Sequence, residues 1–98
     1  MIYELITVDV IPGKLKEFHD MWLKESLPVW EEHGIKHIGS WETTIGKSNE
    51  VIRLFAFEDL AHYERWMQFL AQDEDGKELR GKVWQYIVQL SRKILRPY

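Results

Sequence analysis

The sequence contains no cysteine, only three prolines and only six glycines among its 98 residues. The absence of cysteine excludes disulfides, thiolate nucleophiles, cysteine-ligated zinc and iron–sulfur clusters. No apolar run approaches the roughly 18–20 residues of a membrane-spanning helix, so we expect no membrane span. The formal net charge of −3 weakly disfavours a general nucleic-acid binder, and we expect no nucleic-acid partner.

Sequence motifs of several enzyme classes are also missing. There is no HExxH motif, no EF-hand spacing and no cluster of carboxylates, so we expect no metal site. The chain lacks a glycine-rich phosphate loop and a GxSxG motif, which argues against a nucleotide-binding fold and a hydrolase triad. We therefore expect no cofactor.

The residues that are present indicate one small globular domain over residues 1–98. The composition is 45% hydrophobic and 30% charged, and 13% of the residues are aromatic, including five tryptophans. Basic residues concentrate at the end, where residues 77–98 hold six Lys or Arg and one Glu. A strand-like pattern begins at Ile2 and leaves no room for a signal peptide, so we expect a cytoplasmic location.

Apolar periodicity and turn residues predict the order β-α-β-β-α-β, with one extra short helix before the last strand. This order predicts an α+β, ferredoxin-like domain, with a four-stranded antiparallel sheet and the helices on one face. The first half of the chain is predicted to form a strand over Ile2–Ile11, a helix over Lys14–His33 that is interrupted at Pro28, and strands over Ile35–Thr44 and Glu50–Phe57. The second half is predicted to form a helix from the N-cap Asp59 to about Gln72, an interruption over Asp73–Gly76, a short helix from Lys77 to about Tyr86, and a strand over Ile87–Pro97.

Apolar side chains occupy both faces of the predicted sheet, although helices of the same chain cover only one. In the third strand, one face carries Val51, Phe55 and Phe57, and the other carries Ile52, Leu54 and Ala56. Soluble proteins seldom expose a large apolar face. We therefore predict a homodimer that packs sheet against sheet around a barrel-like core.

The chain resembles the NIPSNAP family over essentially its whole length. The matching segments are collinear: Met1–Leu5, Pro12–Leu15, His33–Lys36, Gly39, Trp41–Thr43, Gly46, Asn49, Leu54–Phe57, Glu64–Arg65 and Leu95–Pro97. The resemblance implies the dimeric α/β-barrel superfamily. That superfamily includes cofactor-free monooxygenases of antibiotic biosynthesis, haem-degrading enzymes and haem peroxidases.

The chain departs from the family pattern at three positions. The family usually carries an arginine two residues after the first-strand glutamate, here Glu4, and an aromatic residue two further on. This chain has Ile6 and Val8 there, and it has Arg53 where members often carry histidine. We expect Arg53 to supply the guanidinium that position 6 lacks, as the cross-strand partner of Glu4.

Polar and aromatic residues near this predicted pair form the candidate site. Glu4 and His62 are the candidate catalytic residues, because a carboxylate or an imidazole can move a proton. We expect Trp41 to share a strand face with His37, and Trp66 to lie one helical turn from His62. The candidate substrate-binding residues are Tyr3, His37, Trp41, Arg53 and Trp66.

Two classes of function remain open. The first is a small-molecule enzyme or ligand-binding protein for an aromatic or polyketide-like molecule, acting as a cofactor-free monooxygenase, cyclase or isomerase, with Arg53 holding an anionic oxygen. The second is a non-catalytic interaction or ligand-binding module, and haem binding through His62 is a weaker alternative. Arg92 and Arg96 share a face of the last strand and either bind an anion or protect an edge strand.

Overall fold

The computed structural model describes all 98 residues. The chain forms, in order, β1 (Ile2–Val10), α1 (Leu15–Met21), a π-helical segment (Trp22–Ser26), α2 (Leu27–Glu32), β2 (Lys36–Glu42), β3 (Glu50–Phe57), α3 (Leu60–Gln72), α4 (Glu74–Trp84) and β4 (Ile87–Leu95). The four strands form one antiparallel sheet in the order β2-β3-β1-β4. This arrangement confirms the predicted ferredoxin-like fold.

The helices pack on the sheet face formed by the even residues of β1 and the odd residues of β3. Trp30 of α2 stacks on Phe55 with the ring centroids 3.9 Å apart, and Tyr63 of α3 meets the Phe57 ring edge-on. Phe55 and Phe57 are fully buried. Aromatic rings bury large areas, so this layer provides much of the core of a short chain.

The predicted interruption at Pro28 takes the form of a π-helical segment. Trp22–Ser26 adopts π geometry directly before α2, and Pro28 then lies in the first turn of α2. Proline is tolerated in a first turn because its missing N–H would have no helical partner there. The helical path therefore continues to Glu32, and Gly34 then adopts φ 75°, which suits glycine at a helix end.

The predicted break over Asp73–Gly76 is shorter in the structure. Only Asp73 separates α3 from α4, and its carboxylate accepts a hydrogen bond from the Asp75 N–H. Gly76 is therefore a helical residue, contrary to the prediction. A Cβ atom at this position would lie 1.9 Å from the Phe69 carbonyl oxygen, so glycine is what allows α4 to approach α3 this closely.

A β-bulge in β2 corrects the predicted position of Trp41. His37 pairs with Phe55 but Gly39 pairs with Leu54, so Ile38 is an extra residue. One extra residue reverses the faces of all that follow. His37 therefore faces the helices while Trp41 lies on the opposite face, 54% exposed, and the prediction that they share a face is wrong.

In β1 and β3 the sheet face away from the helices is mostly apolar, as predicted, whereas β4 places Lys93 and Ser91 on it. Tyr3 and Leu5 of β1 lie on it, opposite Ala56 and Leu54 of β3. Trp41 extends this face across β2. No helix of the chain has the length and apolar character needed to cross a membrane.

Candidate functional site

Arg53 is a buried cation in the middle of β3. Its side chain faces the helices, and the residue is 2% exposed. The guanidinium carbon lies 3.7 Å from the centroid of the Trp22 ring, and Nη1 donates to the Ser40 Oγ at 2.8 Å. Burial lowers the pKa of Arg53 to about 10, so the side chain keeps its charge at neutral pH.

Two nitrogens of Arg53 have no hydrogen-bond partner. Nε and Nη2 are buried from solvent, and no protein acceptor lies within hydrogen-bonding range of either. A buried donor without a partner costs about 1–3 kcal/mol, and more on a charged group. Most buried donors in proteins are satisfied, so these two need an explanation.

Arg53 lines a cavity of about 180 Å³ between the sheet and the helices. Eighteen residues line it, and 14 of them are hydrophobic. Four of the five tryptophans of the chain are among them: Trp22, Trp30, Trp66 and Trp84. The lining residues Ala71, Arg80 and Trp84 are exposed, so the cavity meets solvent at α3 and α4.

All charged residues that line this cavity are cations. The four non-hydrophobic lining residues are Ser26, Arg53, Arg80 and Arg92, and no carboxylate lines the cavity. The Ser26 Oγ already accepts a hydrogen bond from the Trp30 indole at 3.2 Å. The remaining polar groups are therefore guanidinium donors, which recognise anionic oxygen.

Glu4 pairs with Arg92, not with Arg53 as the sequence predicted. Its carboxylate is fully buried and lies 3.6 Å from Arg92 Nη1. In the sheet register, Ile6 lies opposite both Arg53 and Arg92, so the carboxylate has an arginine diagonally across from it on each side. The sequence pattern indicated the charge pair but not which neighbouring strand supplies the cation.

Burial dominates the electrostatics of Glu4. Neither carboxylate oxygen has a hydrogen-bond partner. Loss of hydration raises the pKa of Glu4, and the opposing effects of the Arg92 charge and of Tyr63 are smaller. A buried carboxyl with a raised pKa holds its proton more strongly than an exposed one, which is a property of groups that give or take protons in catalysis.

The bulge in β2 connects His37 to Arg53 through Ser40. The Ser40 hydroxyl lies 2.7 Å from His37 Nε2 and also accepts from Arg53. Burial, and then the Arg53 charge, lower the pKa of His37, so its neutral form prevails. The neutral ring can accept the Ser40 proton at Nε2. Sequence reasoning missed Ser40, because only the bulge brings it to this face.

His62 lies apart from the cavity that Arg53 lines. Its Nδ1 accepts from the Glu58 N–H at 3.0 Å, and its Nε2 lies 2.7 Å from the His33 carbonyl oxygen, to which it donates. With both ring nitrogens engaged, His62 ties the start of α3 to the end of α2. This geometry favours a structural role for His62.

The remaining predicted ligand-binding residues divide between the two faces of the sheet. Trp66 is 1% exposed and lines the cavity, where its ring packs 4.5 Å from that of Trp30. Tyr3 lies on the opposite face because it is an odd residue of β1. Trp41 lies there because of the bulge in β2. The structure therefore gathers Arg53 and Trp66 at the cavity, with His37 and Glu4 one contact behind it.

Comparison with known proteins identifies the family. Residues 3–98 match the family described as NIPSNAP. The chain belongs to the NIPSNAP family. No protein with a curated description matches the sequence.

Solved structures agree with this assignment. The fold is similar to an uncharacterised NIPSNAP domain protein from Burkholderia xenovorans, with TM-score 0.87, 23% identity, and 100% of this chain and 95% of that chain covered. A NIPSNAP-like domain protein from the same organism gives TM-score 0.84 and 28% identity, covering 99% and 84%. A putative antibiotic biosynthesis monooxygenase from Bacteroides thetaiotaomicron shares the fold, with TM-score 0.71, 18% identity, and 98% and 88% covered.

The sheet register shows what surrounds position 6, where the resemblance led us to expect an arginine. Ile6 lies between Arg53 on β3 and Arg92 on β4. An arginine at position 6 would place a third cation between these two, which like-charge repulsion disfavours. An apolar residue there is compatible with both flanking arginines.

The residues around the cavity do not form a set of ligands for a metal ion or for haem. No group of three His, Cys, Asp or Glu side chains in the chain is arranged to hold a metal ion. None of the four histidines lines the cavity. The chain therefore offers no axial histidine for a haem placed in this cavity.

Proposed function

We propose that this protein binds a small organic molecule, aromatic or polyketide-like, in the cavity between the sheet and α3 and α4. The observation that carries the proposal is the largely apolar cavity of about 180 Å³. Well-packed cores rarely leave such a space, and a cavity of about 150 Å³ suffices to bind benzene. The volume here therefore suits a molecule built around one ring.

The relatives support a small organic ligand. A protein with the same fold is described as a putative antibiotic biosynthesis monooxygenase. Cofactor-free oxygenation is thus one reaction that this fold could serve here, although fold alone does not determine reaction type. A non-catalytic ligand-binding or interaction module is the other form of the proposal, and its interaction surface would include the basic residues of β4.

A second candidate function is catalysis of proton transfer by Glu4. The observation that favours it is a fully buried carboxyl without hydrogen-bond partners, 3.6 Å from Arg92, which lines the cavity. Glu4 does not itself line the cavity, so the Arg92 side chain would have to move aside before the carboxylate could take a proton from a carbon beside a carbonyl. The enolate oxygen would then accept a hydrogen bond from Arg53. Return of the proton to another carbon completes an isomerisation or cyclisation without loss of atoms.

A homodimer through the sheet is part of the proposal. The face that carries Tyr3, Leu5, Trp41 and Leu54 is apolar and half-exposed. A second copy of the chain would cover this face with an identical one, as two-fold symmetry requires. The ligand cavity lies on the other side of the sheet, so each protomer would keep its own site.

Mass spectrometry tests ligand binding and subunit number together. The protein is measured as purified from cells under native conditions and then under denaturing conditions. We expect a dimer that carries an organic molecule, which is released on denaturation. A haem mass would instead overturn the choice of ligand class.

A substitution at the cavity opening provides the second test. Ala71 lines the cavity and is exposed, whereas Ala61 is exposed on the same helix but outside the cavity. Ala71→Trp should weaken the binding of one-ring aromatic molecules, measured by tryptophan fluorescence, and Ala61→Trp should leave it unchanged. If neither the unaltered protein nor either variant binds any one-ring aromatic molecule, the ligand-binding proposal is wrong and the non-catalytic interaction module takes its place.

A further inference from the structure

We infer that the ligand of this cavity carries a carboxylate, which accepts two hydrogen bonds from Nε and Nη2 of Arg53. The inference rests on the proposed function, because it names the chemical class of the ligand in the same cavity. It adds a requirement that the apolar lining does not impose, namely a negative charge on the ligand.

The first argument is the edge of Arg53 that is buried without hydrogen-bond partners. Nη1 donates to Ser40, whereas Nε and Nη2 lack partners. Nε and Nη2 form one side of the planar guanidinium, and the two N–H groups on that side run parallel. This is the edge that binds both oxygens of a carboxylate.

The lack of an internal counter-ion is the second argument. Arginine is seldom fully buried unless an acid pairs with it. Glu4 is the buried acid on the same sheet face, and its pair is Arg92, on the other neighbouring strand. The groups packed against the Arg53 guanidinium are the Trp22 and Phe18 rings and the Ser40 hydroxyl, and none of them is an anion. An anionic ligand would supply the missing partner.

The charge of the cavity as a whole is the third argument. Three arginines and no carboxylate line it, in a chain with a net charge of −3. Arg80 is exposed at the solvent side, and Arg53 is buried further in. Cations placed along an apolar cleft attract anions and raise their local concentration.

The rest of the ligand follows from the apolar lining. Trp22, Trp30 and Phe55 line the cavity together with Arg53, and their rings pack against one another. A single aromatic ring with a short acidic substituent matches both the volume and this surface. Phenylacetate has this form, and phenylacetamide has nearly the same shape without the charge.

Isothermal titration of paired acids and amides tests the inference on the unaltered protein. The probes are benzoate, phenylacetate and 4-hydroxybenzoate, each compared with its neutral amide at pH 7. We expect at least one acid to bind roughly tenfold or more tightly than its amide, as charge-assisted hydrogen bonds allow. Equal binding of acid and amide in every pair would refute the carboxylate inference and leave the proposed function standing. Failure of all six probes to bind would also refute the carboxylate inference, and the mass-spectrometric measurement then decides the proposed function separately.

Variants then locate the charge that the acid recognises. In Arg53→Met the preference for acid over amide should disappear, and in Arg53→Lys it should weaken, because lysine keeps the charge without the paired donors. Arg80→Met is the control, since it removes an exposed cation of the same cavity and should reduce the preference only slightly. A preference that survives Arg53→Met but is lost in Arg80→Met would contradict the role of Arg53.

Discussion

The guanidinium carbon of Arg53 lies 3.7 Å from the centroid of the Trp22 ring, so the π-helical segment provides the cover for the buried cation of β3. Trp22 is itself 3% exposed and meets the His37 ring edge-on. Cation and ring are both desolvated here. Their interaction energy is therefore larger than that of a surface pair.

Substitution of both partners should reveal this coupling. Trp22→Ala is expected to lower the free energy of unfolding by about 3–5 kcal/mol, because it leaves a large core cavity. In a double-mutant cycle with Arg53→Met, urea unfolding should give a coupling energy of roughly 2 kcal/mol. Strictly additive effects would show that the ring only fills space. Trp22→Phe, which keeps a smaller ring, should retain part of the coupling.

The raised pKa of Glu4 predicts that stability falls as pH rises. The pKa of Glu4 exceeds its ordinary value of 4.5 in the folded protein, because burial disfavours the charged form. Above pH 4.5 the unfolded chain loses this proton while the folded chain retains it. The free energy of unfolding should therefore decrease as pH rises from 4.5 through the folded pKa.

Glu4→Gln tests this dependence, because it keeps the shape and removes the titration. Chemical unfolding from pH 4 to pH 8 should show a flatter profile for Glu4→Gln than for the unaltered protein. Glu17→Gln is the matched control, since Glu17 is an exposed helix residue, and its profile should follow that of the parent. An unchanged profile in Glu4→Gln would mean that another buried group sets the pH dependence.

Two glycines of α4 should respond in opposite directions to the same substitution. A Cβ at position 76 would lie 1.9 Å from the Phe69 carbonyl oxygen, whereas nothing lies within 4 Å of a Cβ at position 81. Gly76→Ala should cost about 1–3 kcal/mol, because backbone must move to make room. Gly81→Ala should gain up to about 1 kcal/mol from helix propensity. Thermal unfolding compares the two, and a stabilising Gly76→Ala would contradict the close approach of α3 and α4.

The fold could be predicted from the sequence because its signals are local. The β-branched run after Met1, the helical spacing before Gly34 and the turn at Gly46–Asn49 each specify one element, and their order leaves one common topology. The pattern of β3 also predicted apolar residues on both faces of this strand, and the register confirms it. Element ends differ by a few residues where caps compete, as at Asp73.

The site could be predicted only in part, because it depends on register. Arg53 and Glu4 were recognised by their charge in apolar strands, but their partners were not. The extra residue Ile38 moves Trp41 to the other face and brings Ser40 to Arg53. The alternation of apolar and polar residues in the sequence does not predict such a bulge. For Arg92 the sequence leaves anion binding and edge protection open, and only the pairing of β4 with β1 places it beside Glu4.

The apolar outer face of the sheet gives the last prediction, on subunit number. Leu54 lies on this face, opposite Leu5 in the register, and a second copy would bury it. Leu54→Glu should convert the proposed dimer to a monomer, measured by light scattering after size exclusion, because each protomer would bury an unpaired carboxylate in the interface. Ile45→Glu is the control, because it adds the same charge at a residue that is 93% exposed in the hairpin turn. A parent chain that is monomeric at all concentrations would show that the apolar face has some other role.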